Sequence, residues 1–401
     1  MPLSNNATHY GAVAKTFHWL VALLILTLIP LGIIATDAPF ETSEQLAQKA
    51  WLFSLHKTLG VTVFFVALLR ILWALTQPKP ALMNGDKPVE SLLAETAHWL
   101  LYGSLILVPL TGWIHHASAE GYAPIWWPFG QSLPFIPKSP DLSHTFSVLH
   151  GIFEKVLMFT IIAHVLGALK HHFIDRDATL LRMLPGYPAT GPLEDKHSVF
   201  APLFVALVIW AAALGTGAGL GLFAQPERTE GAALAEVETD WTVTEGDIAI
   251  TVQQMGSSVT GSFADWTASI SYDETAETDV KGQAEVTISI PSLTLGTVTD
   301  QAMGPDYFNV EEHPTATFTA DLISTAEGNT AEGTLTIKGY EQPITMPFDL
   351  TIDGDTATVN GTVTLDRRNY HVGDSMTDEG SLGYSVDVAI NLTATRAAEG
   401  E

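Results

Sequence analysis

Five stretches of this chain are apolar and long enough to cross a lipid bilayer, and they constrain the fold more than any other feature. A helix needs about 20 residues to span the hydrocarbon core, and in that core only a helix or a closed barrel satisfies its backbone hydrogen bonds. The first half of the chain is therefore predicted to be a bundle of membrane helices. The predicted spans are Phe17–Thr36, Trp51–Leu75, Leu92–Trp113, Phe146–Leu169 and Val199–Phe223.

Charge divides the 401-residue chain at about residue 225. The first part holds 12 Lys and Arg against 13 Asp and Glu, and the rest holds 6 against 31, so the second part carries nearly all of the net charge of −26. An acidic domain of this kind stays soluble and repels nucleic acid, which we therefore do not expect as a partner. The absence of cysteine excludes disulfides, iron–sulfur clusters and covalently attached c-type haem.

Basic residues near the ends of the spans predict their orientation. They are concentrated after span two and between spans four and five, whereas the other two loops offer only Lys49 and Lys138. Lys and Arg in short loops favour the cytoplasmic side. We therefore expect the N-terminus inside and the acidic domain outside. The inner basic residues are Arg70, Lys79, Lys87, Lys170, Arg176, Arg182 and Lys196.

Four histidines lie near the ends of the predicted spans, where an ionisable side chain is by default a functional hypothesis. They are His18, His56, His150 and His164. His150 and His164 are 14 residues apart on one predicted helix, which places them within about 40° of the same face but about 21 Å apart along the axis. Because an imidazole ligand lies about 2 Å from its metal, these two histidines are predicted to serve two different centres.

Depth in the membrane pairs His18 with His164 near the inner face and His56 with His150 near the outer face. Inward-facing ligands on facing helices are a common way to hold a cofactor, and two bis-histidine haems would carry electrons across the bilayer with no open iron position. A zinc site or proton relay is less favoured, because no acidic cluster accompanies the histidines. Other histidines compete for these roles: His98 at the inner face, His115 and His116 at the outer face, and His171 and His172 just beyond span four. Depth excludes neither His98 as the inner partner nor His115 as the outer one.

Several motifs across about residues 8–187 resemble bacterial cytochrome b561. They are Lys15-Thr-Phe-His18-Trp-Leu, Leu55-His56-Lys57-Thr-Leu-Gly60 with Arg70-Ile-Leu-Trp, and Leu149-His150-Gly151 to Ala163-His164 and on to Leu180-Leu-Arg-Met-Leu-Pro185.

The cytochrome b561 resemblance implies two b haems, with His18 and His164 as the ligands of one and His56 and His150 as the ligands of the other. It also implies that His98 is structural rather than a ligand. Members of this family exchange electrons with membrane quinone in the bacterial inner membrane, and superoxide oxidation at the outer face is associated with them.

Arg70 lies at the inner end of span two, 14 residues beyond His56. We interpret it as a candidate contact to a propionate of the inner haem. The alternative is that Arg70 merely extends its charged head to the inner membrane surface.

Beyond residue 240 the hydrophobic pattern changes to short alternating runs, which predict strands with one buried and one wet face. Eight or nine such strands favour a sandwich or an antiparallel barrel, and a barrel of about eight strands can hold a small ligand. The predicted strands are Ala249–Met255, Val259–Ala264, Thr267–Tyr272, Ala284–Ile290, Thr315–Leu322, Gly333–Ile337, Ile344–Ile352, Ala357–Leu365 and Ser385–Thr395.

Most of residues 240–396 resemble the YceI-like family, whose known members are lipocalin-like barrels around a polyisoprenoid, including the tail of a quinone. The resemblance rests on Ser258–Phe263, Pro305–Pro314 with Ala316-Thr-Phe318, Gly333–Gly339 and Leu365-Asp-Arg-Arg-Asn-Tyr370. One departure is that the family often has a histidine just before the second strand, where this chain reads Gln253-Gln-Met-Gly. The candidate lipid-lining aromatics are Phe263, Phe308 and Phe318, with ordinary core packing as the alternative.

The sequence thus predicts an all-α membrane four-helix bundle with a di-haem core and one extra transmembrane helix, followed by a soluble all-β lipocalin-like barrel. The domain boundaries are set at 1–190, 191–240 for the fifth helix and linker, and 241–396. The predicted function is transmembrane electron transfer with quinone, with superoxide or another periplasmic donor as electron source. The alternatives are a lipid-binding or stress-response module anchored by the helices, or a cytochrome subunit for another oxidoreductase. Whether the chain is itself a quinone-linked oxidoreductase, and whether it pairs with a redox partner or with itself, stays open.

Overall fold

The computed structural model describes residues 2–83, 85–119, 123–186, 198–224, 234 and 239–396. These residues form two compact units, one helical and one made of strands. Most of the predicted linker, residues 225–240, lies outside the described residues, as does Lys196. The boundaries at 190 and 240 therefore stay predictions.

All five predicted spans are helices, and all five are long and apolar enough to cross a membrane. Many of their large apolar side chains are exposed, as lipid-facing side chains must be; Leu23 and Leu26, for example, are 64% and 61% exposed. The first four helices extend beyond their predicted spans because their polar end turns do not register as apolar, whereas α5 ends at Gly219, four residues before the predicted end. They are α1 (Ala12–Asp37), α2 (Ser43–Leu75), α3 (Pro88–Ser118), α4 (Pro140–Lys170) and α5 (Phe200–Gly219).

Local sequence explains where α4 begins. The Ser139 side chain accepts a hydrogen bond from the backbone N–H of Leu142, and Pro140 occupies the first turn, where a missing N–H costs nothing. After Lys170 the helix continues as one π-helical turn, His171–Asp175, and ends at Arg176 in the left-handed conformation.

Small residues let α5 pack closely against the bundle. A Cβ placed on Gly103 of α3 would lie 2.0 Å from the Trp210 ring, and one placed on Gly217 of α5 would lie 2.5 Å from Ile152. Close approach through small residues is the usual basis of helix association in lipid. The fifth helix is therefore a packed part of the helical unit.

The second unit is a single antiparallel sheet of ten strands that curls on itself, as predicted. Its hydrogen-bonded order is β3-β4-β6-β7-β8-β9-β10-β1-β2-β5. β3 is the edge strand at one end of this order. Asp240, the residue just before β1, donates its N–H to the Ile270 carbonyl of β3 at 3.0 Å, so the curl brings the start of β1 to that edge strand. The strands are β1 (Trp241–Gln254), β2 (Ser257–Phe263), β3 (Trp266–Tyr272), β4 (Val280–Ser289), β5 (Leu293–Thr294), β6 (Thr315–Thr325), β7 (Gly328–Ile337), β8 (Tyr340–Asp353), β9 (Thr356–Asp366) and β10 (Leu382–Arg396).

Alternation along the strands places one row of side chains inside the curl. In β6 the residues Ala316, Phe318, Ala320 and Leu322 are buried, and the intervening ones are more exposed. Two apolar clusters line the concave side, one around Ile248 and one around Phe318. A short helix, α6 (Thr299–Met303), contributes Ala302 to the first of them.

Candidate haem sites and sheet interior

His56 of α2 and His150 of α4 line one cavity in the helical unit. The Nδ1 atom of His56 lies 3.1 Å from the Leu28 carbonyl, and that of His150 lies 2.8 Å from the Val108 carbonyl. A carbonyl only accepts, so these contacts assign the hydrogen to Nδ1 in both rings. The Nε2 lone pairs are left available, and this is the usual arrangement of a histidine that binds a metal.

Two glycines fit closely against these rings. A Cβ placed on Gly32 of α1 would lie 2.9 Å from Cε1 of His56, and one placed on Gly112 of α3 would lie 2.9 Å from Nδ1 of His150. Both distances are shorter than van der Waals contact, so any other residue would displace the imidazole. A hydrogen bond to a backbone carbonyl and close contact with a glycine thus fix the orientation of each ring. We call these close contacts at Gly32 and Gly112 glycine notches.

At the other end of the bundle, His18 of α1, His98 of α3 and His164 of α4 form a second cluster. The ring centres of His18 and His164 are 6.2 Å apart, and those of His98 and His164 are 5.4 Å apart. Because an imidazole nitrogen lies about 2 Å from a metal that it binds, rings at these distances are close enough to share one metal. The structure therefore brings the predicted inner pair together, but it brings His98 equally close.

Arg70 of α2 reaches the inner cluster. Its Nη2 atom lies 3.3 Å from Nδ1 of His18, and its guanidinium lies 5.4 Å from the ring of Tyr102. A guanidinium can only donate, so Nδ1 of His18 accepts here. The inner histidine thus differs from His56 and His150, whose Nδ1 atoms face carbonyls.

The two clusters lie far apart on α4. That helix is continuous from Pro140 to Lys170, so the 14 residues between His150 and His164 correspond to about 21 Å. One metal cannot bridge them. If both clusters hold cofactors, they hold two.

The remaining histidines have other contacts. His115 has Nδ1 at 2.8 Å from the Ser143 carbonyl and at 2.9 Å from the Ser143 hydroxyl. His116 lines the same cavity as His56, and its ring centre lies 4.4 Å from that of His115, with the two ring planes tilted by 50°. His171 is hydrogen-bonded through Nδ1 to the Asp177 carboxylate at 2.6 Å. Of the outer-face competitors, His116 is the one that shares the cavity with His56 and His150 in the described part of the chain.

An acidic group near the predicted inner end is neutralised by lysines. Glu90, His171 and Asp175 lie within reach of one another, but Lys170 Nζ is 2.8 Å from Glu90 and 2.9 Å from Asp175, and Lys87 contacts both carboxylates. The arrangement is an ion-pair network that ties α3 to the end of α4.

In the sheet, the three predicted lipid-lining aromatics lie on the concave side. Phe263 is buried in the cluster around Ile248 and Phe308 packs against the same cluster, whereas Phe318 belongs to the second cluster. Their neighbours are aliphatic, which suits both an apolar ligand and ordinary packing.

Comparison with known proteins matches both halves. Residues 9–186 match the family model of prokaryotic cytochrome b561, and residues 241–394 match that of the YceI-like domain. After these matches, we call residues 9–186 the cytochrome b561 domain and residues 241–394 the YceI-like domain. Both resemblances inferred from the sequence are thereby confirmed.

The cytochrome b561 domain is similar over nearly the whole length of two curated relatives. One is cytochrome b561 homolog 2 of Escherichia coli, 29% identical over 46% of this chain and 95% of the relative. Another is the probable superoxide oxidase CybB of Yersinia pestis, 29% identical over 44% of this chain and 96% of the relative. The crystal structure of Burkholderia cenocepacia BcnA is 28% identical over 39% of this chain and 100% of its own, with a TM-score of 0.36.

The cytochrome b561 domain fits a membrane electron-transfer protein with b-type haem. Five membrane-length helices and the cytochrome b561 relatives fit an inner-membrane location. Imidazoles with free Nε2 atoms and a cavity between them suit such a group at the outer cluster.

Three features escaped the sequence reasoning. Gly32 and Gly112 carry no signal until the opposing helix is known. Arg367 of the YceI-like domain lies in a motif that was noted, yet nothing in the sequence showed that it is 5% exposed and donates to five backbone carbonyls.

Proposed function

We propose that the cytochrome b561 domain holds two b haems and passes electrons across the inner membrane. The observation that carries this proposal is the outer cluster, where His56 and His150 line one cavity with both Nε2 atoms free. The assignment of His18 and His164 to the inner haem is supported by their 6.2 Å ring separation. Each bound haem supplies one-electron redox chemistry.

In this proposal the chain's own residues hold and orient the cofactors. The carbonyls of Leu28 and Val108 fix the ring orientation of His56 and His150 and raise their basicity as ligands. Arg70 is proposed to move its guanidinium from His18 to an inner propionate, since a cation beside a carboxylate makes a stronger hydrogen bond than one beside a neutral ring.

The electron partners are proposed from the family. Membrane quinone is the proposed exchange partner, and the name of the Yersinia relative makes superoxide a candidate donor at the outer face. The concentration of Lys and Arg after span two and between spans four and five supports a cytoplasmic N-terminus and a periplasmic YceI-like domain. Protease accessibility of residues 241–396 from the periplasmic side tests this topology.

We propose further that the YceI-like domain binds a quinone or polyisoprenoid lipid on its concave side. Tethering such a carrier beside the outer haem would raise its effective concentration. Mass spectrometry of lipids extracted from the purified full chain is expected to show an isoprenoid. Absence of any such lipid, together with unchanged quinone-linked turnover after deletion of residues 241–396, would contradict this part.

Haem content separates electron transfer from the rival function of an anchored lipid-binding module. The purified full chain is expected to contain two b haems and to give a reduced-minus-oxidised spectrum on addition of quinol or superoxide. A chain without haem, or one that keeps both haems after His150→Ala and His164→Ala together, would overturn the proposal.

A further inference from the structure

Buried polar groups collect at one end of the curled sheet. At this end, Gln254 closes β1 and pairs with Leu382, the first residue of β10. Tyr370 lies just beyond β9, whose last residue, Asp366, pairs with Ser385. Because β9, β10 and β1 are neighbours in the sheet, Gln254 and Tyr370 belong to the same end.

The Gln254 side chain points to the concave side. It continues the row of Ile248, Ile250 and Val252, which belong to or pack against the inner apolar cluster, and it is 4% exposed. Its neighbour Gln253 is exposed. The Oε1 atom of Gln254 is buried and has no hydrogen-bond partner among the residues that the structure describes. A buried acceptor in this state costs stability until it meets a donor.

Tyr370 is a second group of this kind. It is 2% exposed, and its hydroxyl has no hydrogen-bond partner within the described part of the chain. Burial raises the pKa of Tyr370 to about 12, so the hydroxyl stays neutral and keeps its ability to donate. This end of the sheet thus offers one buried acceptor and one buried hydroxyl.

In the described part of the YceI-like domain, no buried cation has unused donors for an anionic ligand. Within residues 239–396 as described, Arg367 is the one buried Lys or Arg. A guanidinium has five N–H donors, and those of Arg367 bond the carbonyls of Gly383, Val372, Gly373, Met376 and Leu382 at 2.5 to 3.2 Å. The domain as a whole is strongly acidic. A phosphate would meet repulsion and no unused positive donor.

We propose that the sheet recognises an uncharged isoprenoid whose head group carries a hydroxyl, with Gln254 Oε1 as the acceptor, and that it discriminates against isoprenoid phosphates. The proposal rests on the proposed lipid-binding function of the YceI-like domain and names the head-group class. Two kinds of lipid share this chemistry, a polyprenol and a quinol. Occupation by either would pair the buried oxygen.

Equilibrium dialysis of the full chain in detergent tests the proposal with labelled farnesol and labelled farnesyl diphosphate. Farnesol is expected to bind at least about tenfold more tightly than the diphosphate. The Gln254→Leu variant is expected to bind farnesol about five- to tenfold more weakly, the usual effect of losing one hydrogen bond. The matched control is Gln253→Leu, one residue away and exposed, which is expected to bind as the native chain does.

A competition arm distinguishes the two sources. Decylubiquinol that displaces farnesol from the native chain, and does so less well from Gln254→Leu, identifies a quinol as an accepted ligand. Failure to displace identifies a polyprenol instead. Reading the displacement of farnesol keeps quinol bound to the cytochrome b561 domain out of the measurement.

The outcomes separate this inference from the function beneath it. If neither farnesol nor its diphosphate binds, the isoprenoid-binding function itself fails. If the diphosphate binds as tightly as farnesol, or if Gln253→Leu loses as much affinity as Gln254→Leu, only the head-group inference fails. Gln254→Met is a second variant of similar size without an oxygen, and native farnesol affinity in it would also overturn the inference. Thermal unfolding checks folding, and the Leu variant is expected to be no less stable, because an unpaired buried acceptor is removed.

Discussion

The helical and sheet units bury polar side chains with different results. In the helical unit, His56 and His150 each bond a carbonyl through Nδ1 and keep Nε2 unused. In the sheet, Arg367 uses all five donors on carbonyls of the 372–383 segment. Burial alone therefore does not identify a functional residue. A candidate ligand is instead identified by the donors or acceptors that stay unpaired after folding. A buried residue whose donors are all paired, such as Arg367, has a structural role.

The largest effect is expected when one proposed haem ligand is removed at a time. His150→Ala is expected to lower the haem content from two to one per chain by emptying the outer site, and His164→Ala to do the same at the inner site. A b haem with one of its two axial ligands missing is held far more weakly. The haem-to-protein ratio, measured as the pyridine haemochrome, gives the content.

The competing histidines serve as controls. His98→Ala and His115→Ala are expected to keep both haems, because the family resemblance makes His98 structural and because the described cavity is lined by His56, His116 and His150 but not by His115. Loss of one haem in His98→Ala with retention in His18→Ala would reassign the inner pair to His98 and His164, whose rings are 5.4 Å apart.

The counterpart in the sheet is Arg367→Ala, which is expected to cost about 3–5 kcal/mol because it leaves several buried carbonyls unpaired. Haem content should not change. Hydrogen exchange of peptides covering residues 371–383 in the full chain measures the loss locally. Arg367→Lys is expected to recover only part of it, since an ammonium has three donors in place of a planar fork of five.

Much of the architecture was predictable because it depends on patterns that are local in sequence. Apolar length predicted the five membrane helices, and alternation predicted nine of the ten strands. The first part of β1, before Ala249, was not predicted, because Glu245, Gly246 and Asp247 are all exposed and interrupt the alternation of buried and exposed residues. The two-residue strand β5 is too short to carry a pattern.

The candidate site was predictable only in part, because its details depend on contacts between helices. The predicted depths of His18 and His164 in the membrane paired these two residues. Depth could not decide between His18 and His98 as the partner of His164, and the fold places His98 beside His164 as well. The notches at Gly32 and Gly112 depend on which face opposes His56 and His150. The pairing of all five Arg367 donors depends on the path of the loop that contains residues 372–383.

A smaller effect is expected from filling a glycine notch. In Gly112→Ala the added Cβ would lie 2.9 Å from Nδ1 of His150, so the ring must shift from the Val108 carbonyl. Disturbing such a supporting contact typically weakens metal affinity by about 10- to 100-fold, and we expect the lower end for the outer haem. Haem transfer to apomyoglobin measures the change. Gly151→Ala is the matched control, since its Cβ would meet nothing closer than 3.9 Å; equal loss in both variants would contradict the notch.

The smallest expected effect comes from Arg368, which follows Arg367 but lies at the surface. Its Nε bonds both carboxylate oxygens of Asp366 at 2.9 and 3.1 Å, and the side chain is 56% exposed.

The hydrogen bond from Arg368 holds the pKa of Asp366 below its usual value. A depressed pKa in the folded state stabilises the fold above the unfolded pKa of about 3.9, and this stabilisation is lost as the pH falls through the folded value. An exposed pair of this kind is worth less than about 1 kcal/mol. Arg368→Ala is therefore expected to lower the urea midpoint only slightly at pH 7 and still less at pH 3. A cost near that of Arg367→Ala, or one that persists at pH 3, would show that exposure and leftover capacity do not separate these two neighbouring arginines.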